Sequence, residues 1–247
     1  MSREATGHAM GLGDRIRARL LAYFRGRADF LDALLFEHSM RARGFGHARD
    51  IPSWTTPAEL RALHDLAVRL PPNATLLEIG SHLGASSCYL SAGAAGVDGH
   101  LYCVDTWQNE AMVDGIRDTF AEFERNTRAA AARLTTVRKR SDELRDGDVR
   151  APVHLAFIDG DHRYPAVSGD FAIASRWLAP DGVIAFHDFG NDEFPGVTRV
   201  VGEALATGQW VQRGLVGTLV WIERSRWREP GWLASEQRHE WHRGTGR

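Results

Sequence analysis

Leu76-Leu77-Glu78-Ile79-Gly80-Ser81-His82-Leu83-Gly84-Ala85-Ser86-Ser87 decides the fold of this chain. A short apolar run ends in an acidic residue and a glycine, and small residues suited to a helix start follow. Ala156-Phe157-Ile158-Asp159-Gly160-Asp161-His162 repeats the pattern further on. Runs of this kind are buried strands of a parallel sheet, and their carboxyl ends open onto the ligand crevice of an open α/β fold.

The pattern alternates outward from these two stretches. The spacing predicts strands at Ala74–Ile79, His100–Val104, Leu134–Arg138, Val153–Ile158 and Val183–Phe186, with a closing pair at Trp210–Val211 and Thr218–Trp221. Between them it predicts helices over Gly84–Ala95, about Glu110–Ala132, Pro165–Leu178 and Gly196–Thr207, a short one near Ser141, and a turn at Pro180-Asp181-Gly182. Strands alternating with helices imply a doubly wound, Rossmann-like α/β sheet, mostly parallel, and the closing pair suggests an antiparallel hairpin at one edge. Upstream, apolar residues at helical spacing run from 14 to 40, with Gly26 as a candidate break, and a helix begins at Pro57 behind a Thr55 or Thr56 cap. Three segments result: 1–54, an N-terminal helical or lid extension; 55–222, the catalytic domain; and 223–247, an Arg/Trp-rich tail.

Composition excludes several function classes. With 247 residues, 43% hydrophobic and a net charge of −2, nothing favours nucleic acid or a membrane surface as partner. Two cysteines, Cys88 and Cys103, make no disulfide framework. Met1–Gly13 is small and polar, neither a signal peptide nor a membrane span, so a cytoplasmic location is expected.

The first loop reads as a cofactor site. Gly80 and Gly84 admit close backbone approach, with Ser81 and Ser86 beside them at the helix start. His82 stands where a dinucleotide fold needs its second glycine. Glu78 is expected to aim a carboxylate at the crevice, which repels a pyrophosphate but suits a ligand bearing an amine and a sulfonium, as S-adenosylmethionine does. Asp105, 21 residues after Gly84, suits a pair of ribose hydroxyls. Trp107 is expected to cover the ligand, and Ser141 and Asp142 to read the adenine edge.

The strings EIGSHLGASS, VDTW, FIDGDHRY and GVIAFHDF resemble the class I S-adenosylmethionine-dependent methyltransferases. They are most similar to the small-molecule O-methyltransferases related to macrocin O-methyltransferase, many of which use a divalent metal. The resemblance spans roughly 55–222. It implies a seven-stranded sheet with the last strand antiparallel, and methyl transfer to a hydroxyl of a small molecule such as a sugar or natural product.

Methyl transfer from a sulfonium requires an acceptor oxygen in line and a group that removes its proton. Asp159 and His162 follow the fourth strand, and His187 and Asp188 follow the fifth, close enough to converge. Asp159, His187 and Asp188 are the candidate metal ligands. His187 stands where the similar enzymes carry an acid, which makes Mn²⁺ plausible beside Mg²⁺. His162 is the candidate base, matching the histidine of the D-G-x-H string in related sugar methyltransferases, with Asp159 its catalytic partner. Alternatives are a metal-free site with His162 or His187 as base, and a non-catalytic binding protein of the same fold. A nicotinamide oxidoreductase lacks both the glycine at position 82 and a Tyr-x-x-x-Lys pair, Lys139 being the sole lysine. A homo-oligomer, a dimer or larger, is expected.

Overall fold

The computed structural model describes residues 12–109 and 115–225. The tail beyond Ser225 and the start of the helix expected at Glu110 lie outside the described residues. Contacts divide the chain into two units, Met1–His47 and Ala48–Arg247. The first unit carries one helix, α1 (Leu12–Ala42), which runs through Gly26 without the expected break. A single glycine costs a helix only about 1 kcal/mol relative to alanine.

The second unit holds α2 (Pro57–Val68), β1 (Thr75–Ile79), α3 (Ala85–Ala94), β2 (His100–Asp105), α4 (Phe120–Thr127), β3 (Leu134–Arg138), β4 (Val153–Ile158), α5 (Tyr164–Trp177), β5 (Leu178–Phe186), α6 (Pro195–Ala206), β6 (Trp210–Val216) and β7 (Leu219–Arg224). The seven strands lie in the order β3-β2-β1-β4-β5-β7-β6. Pairings from β3 through β5 are parallel, and β7 is antiparallel to both its neighbours, so it alone runs against the rest. The closing pair is therefore inserted as a hairpin, with β7 inside β6.

Side-chain alternation builds a core on each face. Leu77 and Ile79 of β1 with Ala156 and Ile158 of β4 pack against Val167, Ala174, Trp177 and Val197 from α5 and α6. Leu76, Leu155 and Phe157 point the other way, onto Leu63, Leu90 and Phe123 from α2, α3 and α4. Both faces of β1 are buried, which is why its sequence reads as a continuous apolar run.

Two local expectations are corrected. Pro180-Asp181-Gly182 is no turn but part of β5, which begins at Leu178 and pairs across a register shift between Val153 and Leu155. A bulge of this kind absorbs a proline inside a sheet. The long helix expected from Glu110 shortens to Phe120–Thr127, followed by a 3₁₀ turn at Arg128–Ala130. Trp107 and Asn109 have positive φ values of 53° and 59°, and Asn109 donates to the Gly115 carbonyl (2.7 Å), so the chain loops before it coils.

Candidate functional site

The chain returns from β3 to β4 beside β1, and the crevice opens at that reversal, as expected for an open α/β sheet. It encloses about 510 Å³ between the ends of β1, β2, β4 and β5. Its floor is the loop after β1. Gly80 has φ +85°, and a Cβ there would stand 2.2 Å from the Asp159 carbonyl oxygen. Asp105 clamps this loop: Oδ2 accepts from the N–H groups of Ser81 (2.8 Å) and His82 (2.9 Å), and Oδ1 from Trp107 N–H (2.7 Å). The carboxylate expected to meet a ribose thus first fixes three backbone donors, with the remaining face toward the crevice.

Of the sequence-predicted cofactor residues, Gly80, Ser81, Ser86, Asp105, Ser141 and Asp159 line the crevice. Four others do something else. Glu78 shares a strand face with Leu76, so its carboxylate turns under α3 rather than into the crevice. There it accepts from Ser81 Oγ (2.8 Å), Ser87 Oγ and Cys103 Sγ (3.3 Å). Complete burial pushes its pKa up, against the pull of the surrounding hydroxyls and thiol. Gly84 (φ +87°) is required by packing, because a Cβ would meet Thr127 Cγ2 at 2.7 Å and the Phe123 ring beyond it. Trp107 is 1% exposed and packs on Phe120 and Phe123 at ring distances of 5.0 and 4.7 Å. Asp142 is exposed and paired with Arg140 (3.0 Å), while its neighbour Ser141 faces the crevice.

Four donor groups converge on the opposite rim. His162 Nε2 lies 3.4 Å from both Asp159 Oδ1 and Asp188 Oδ2. His187 Nδ1 approaches the same two oxygens at 3.1 and 3.3 Å. Parallel pairing of β4 and β5 makes this possible, because Ile158 and Phe186 are in register and each strand hands over directly to its acidic loop. The ring of His162 packs on Phe194 at 4.5 Å, and Asn191 Nδ2 donates to Asp188 Oδ1 (2.9 Å). Burial alone would lower the His187 pKa, but Asp159 and Asp188 overcome it and raise the pKa to about 11. Both carboxyls move the other way: burial would raise them, yet the imidazoles hold them below their ordinary range. With no metal bound, the two carboxylates favour the charged form of His187.

The donor set fits a divalent metal. One atom each from Asp159, His162, His187 and Asp188 can lie within 4.8 Å of the others. The three expected ligands among them, the carboxylates of Asp159 and Asp188 with the imidazole of His187, suit a first-row transition ion better than Mg²⁺, which favours an all-oxygen shell.

Two residues were missed in the sequence. Glu59, 1% exposed on α2, lies with Oε2 3.5 Å from His187 Nε2. It forms a capping box with Thr56 and also accepts from Thr218 N (2.6 Å) and Oγ1 (2.9 Å). The Thr56-x-x-Glu59 spacing was readable, but the reach to Thr218 and His187 is tertiary. Asp170 on α5 also lines the crevice, 2% exposed beside Ser141, and burial lifts its pKa to about 6. At the mouth, Trp54 is 59% exposed and faces His82 at 5.5 Å.

Among known proteins, residues 77–189 match the family model described as a methyltransferase domain. Solved structures share the fold. The S-adenosylhomocysteine-bound Podospora anserina methyltransferase PaMTH1 is 11% identical over 89% of this chain and 99% of its own, with a TM-score of 0.55. The O-methyltransferase TomG from Streptomyces achromogenes, in complex with SAM, is 19% identical over 78% of this chain and 95% of its own (TM-score 0.52). CalS11, a TDP-rhamnose 3′-O-methyltransferase, is 14% identical over 75% and 93% (TM-score 0.52).

Proposed function

We propose that this chain, whose residues 77–189 match the family model described as a methyltransferase domain, transfers a methyl group from S-adenosylmethionine to a hydroxyl of a small molecule such as a sugar or natural product. One observation carries the reading. On the rim beside the Gly80–Ser86 loop, His162 and His187 converge on the same two oxygens, Asp159 Oδ1 and Asp188 Oδ2. The sugar acceptor is suggested by CalS11, a TDP-rhamnose 3′-O-methyltransferase.

S-adenosylmethionine, when bound, supplies an electrophilic methyl group, and a divalent cation would polarise the acceptor hydroxyl. The chain would hold the donor on the Ser81–His82 loop, stiffened by Asp105, with Ser141 at the far wall. Asp159, His187 and Asp188 would hold the cation. His162 is the proposed base, because its side chain is 22% exposed to the crevice against 4% for His187. It would take the acceptor proton on Nε2, which lies 3.4 Å from Asp159 Oδ1 and from Asp188 Oδ2. A second reading is methyl transfer without metal, with His162 or His187, which share the oxygens Asp159 Oδ1 and Asp188 Oδ2, as the base.

Among the described residues no helix is long and apolar enough to cross a membrane. A cytoplasmic location belongs to the same proposal.

The test is a mass-gain screen of hydroxylated sugars and natural products with S-adenosylmethionine, run with Mn²⁺, Mg²⁺ or chelator. A gain of one methyl on a hydroxyl that disappears in His162→Ala supports the reading. A product methylated on nitrogen or carbon contradicts it.

A further inference from the structure

Helix α1 exposes eight large apolar side chains: Leu20, Leu21, Tyr23, Phe24, Phe30, Leu31, Leu34 and Leu35, each 50–69% exposed. At 3.6 residues per turn they cover about half of the helix circumference. An isolated helix in water does not retain such a face without a partner.

The charges on α1 name the partner. Residues 12–27 carry five arginines and one aspartate, a net of +4, and residues 28–42 carry three acids and one arginine, a net of −2. This arrangement opposes the macrodipole of α1 itself, which favours acids at the N-terminal end and bases at the C-terminal end. Local pairs such as Arg41–Glu37 (3.5 Å) recover little of that cost at the surface. The pattern is self-complementary when the helix meets a reversed copy of itself. We propose that α1 is a dimerisation element that pairs antiparallel with α1 of a second copy of this chain.

The geometry follows from the sequence numbers. A two-fold axis between Arg27 and Ala28 places Leu20 opposite Leu35 of the other copy, Leu21 opposite Leu34, and Phe24 opposite Leu31. The basic half of each helix then lies along the acidic half of the other. Parallel pairing would set five arginines against five. The eight side chains expose area of the order of the ~800 Å² that each partner contributes to a stable interface. The contact is isologous, so it closes at two copies.

Light scattering on the full chain at about 20 μM tests the proposal. The expected mass is that of two chains, falling to one in Leu31→Glu/Leu34→Glu with an unchanged far-ultraviolet circular dichroism spectrum. Orientation is read by cross-linking, since the native Cys88 and Cys103 are buried. Leu20→Cys and Leu35→Cys chains, mixed and oxidised, should give a disulfide-linked pair, while Leu20→Cys alone should not. A monomeric wild type overturns the proposal, including one whose α1 covers its own crevice, as does a dimer that survives the glutamates. Self-linking of Leu20→Cys overturns the antiparallel arrangement.

Discussion

His187 Nδ1 stands 3.1 Å from Asp159 Oδ1, and this contact joins the ends of two neighbouring strands into one charged cluster. With Asp188 at 3.3 Å and Glu59 at 3.5 Å, the buried imidazole ring faces three carboxyl groups, which favour its charged form when no metal is bound.

Removal of that cation leaves Asp159 and Asp188 without their counter-charge. His187→Gln is expected to lower stability by about 3 kcal/mol without metal at pH 7. The His187 contribution is complete below about pH 6.5 and declines as pH rises through about 11, so wild type should lose stability faster than the variant over that range. Urea unfolding at several pH values measures both.

His187→Asp restores an all-oxygen set. Wild type is expected to gain more thermal stability from Mn²⁺ than from Mg²⁺, and the variant to reverse that order. Thermal shift titrations with each ion read the preference without any acceptor. Equal responses in both proteins would remove these residues from metal binding.

Asp105→Asn weakens the clamp on the cofactor loop, because an amide offers one acceptor oxygen where three backbone N–H groups now converge. S-adenosylhomocysteine affinity is expected to fall about tenfold or more, equivalent to about 1.4 kcal/mol. Asp142→Asn, at an exposed residue paired with Arg140, should leave affinity within about twofold. Comparable losses in both variants would contradict the placement of the donor on the Ser81–His82 loop.

Asp170 carries a pKa raised to about 6 by burial, so its ionisation opposes folding. The folded chain binds this proton more tightly than the unfolded chain. Stability therefore falls as pH rises from about 4 to about 6, and the penalty persists above that. Asp170→Asn should stabilise the protein at pH 7.5 by about 2 kcal/mol and flatten this part of the pH profile. Denaturant midpoints at pH 4, 6 and 7.5 check the sign.

The strand plan was legible because β1 and β4 are buried on both faces and read as unbroken apolar runs. The reversal between them, and with it the rim, followed from connectivity. Direction and reach were not legible. Alternation places Glu78 with Leu76, facing α3, so the sequence itself argued against a crevice-facing carboxylate. Asp105 was legible as a rim acid, but its three backbone donors depend on turns at His82 and Trp107 whose φ values are positive. Glu59 lies more than a hundred residues from both His187 and Thr218, beyond any local pattern. Asp170 looked solvated because its cover comes from the segment around Ser141, in a different crossover.

The central claim is that the Ser81–Asp105 floor and the Asp159–His162 rim form one methyl-donor site. Calorimetric titration of S-adenosylhomocysteine into wild type and His162→Ala tests it most directly, with turnover followed on any acceptor that gains mass. The account predicts one binding event per chain with affinity unchanged in the variant, and turnover slowed by about 10²- to 10⁴-fold. No heat at millimolar ligand, or undiminished turnover in His162→Ala, would contradict it.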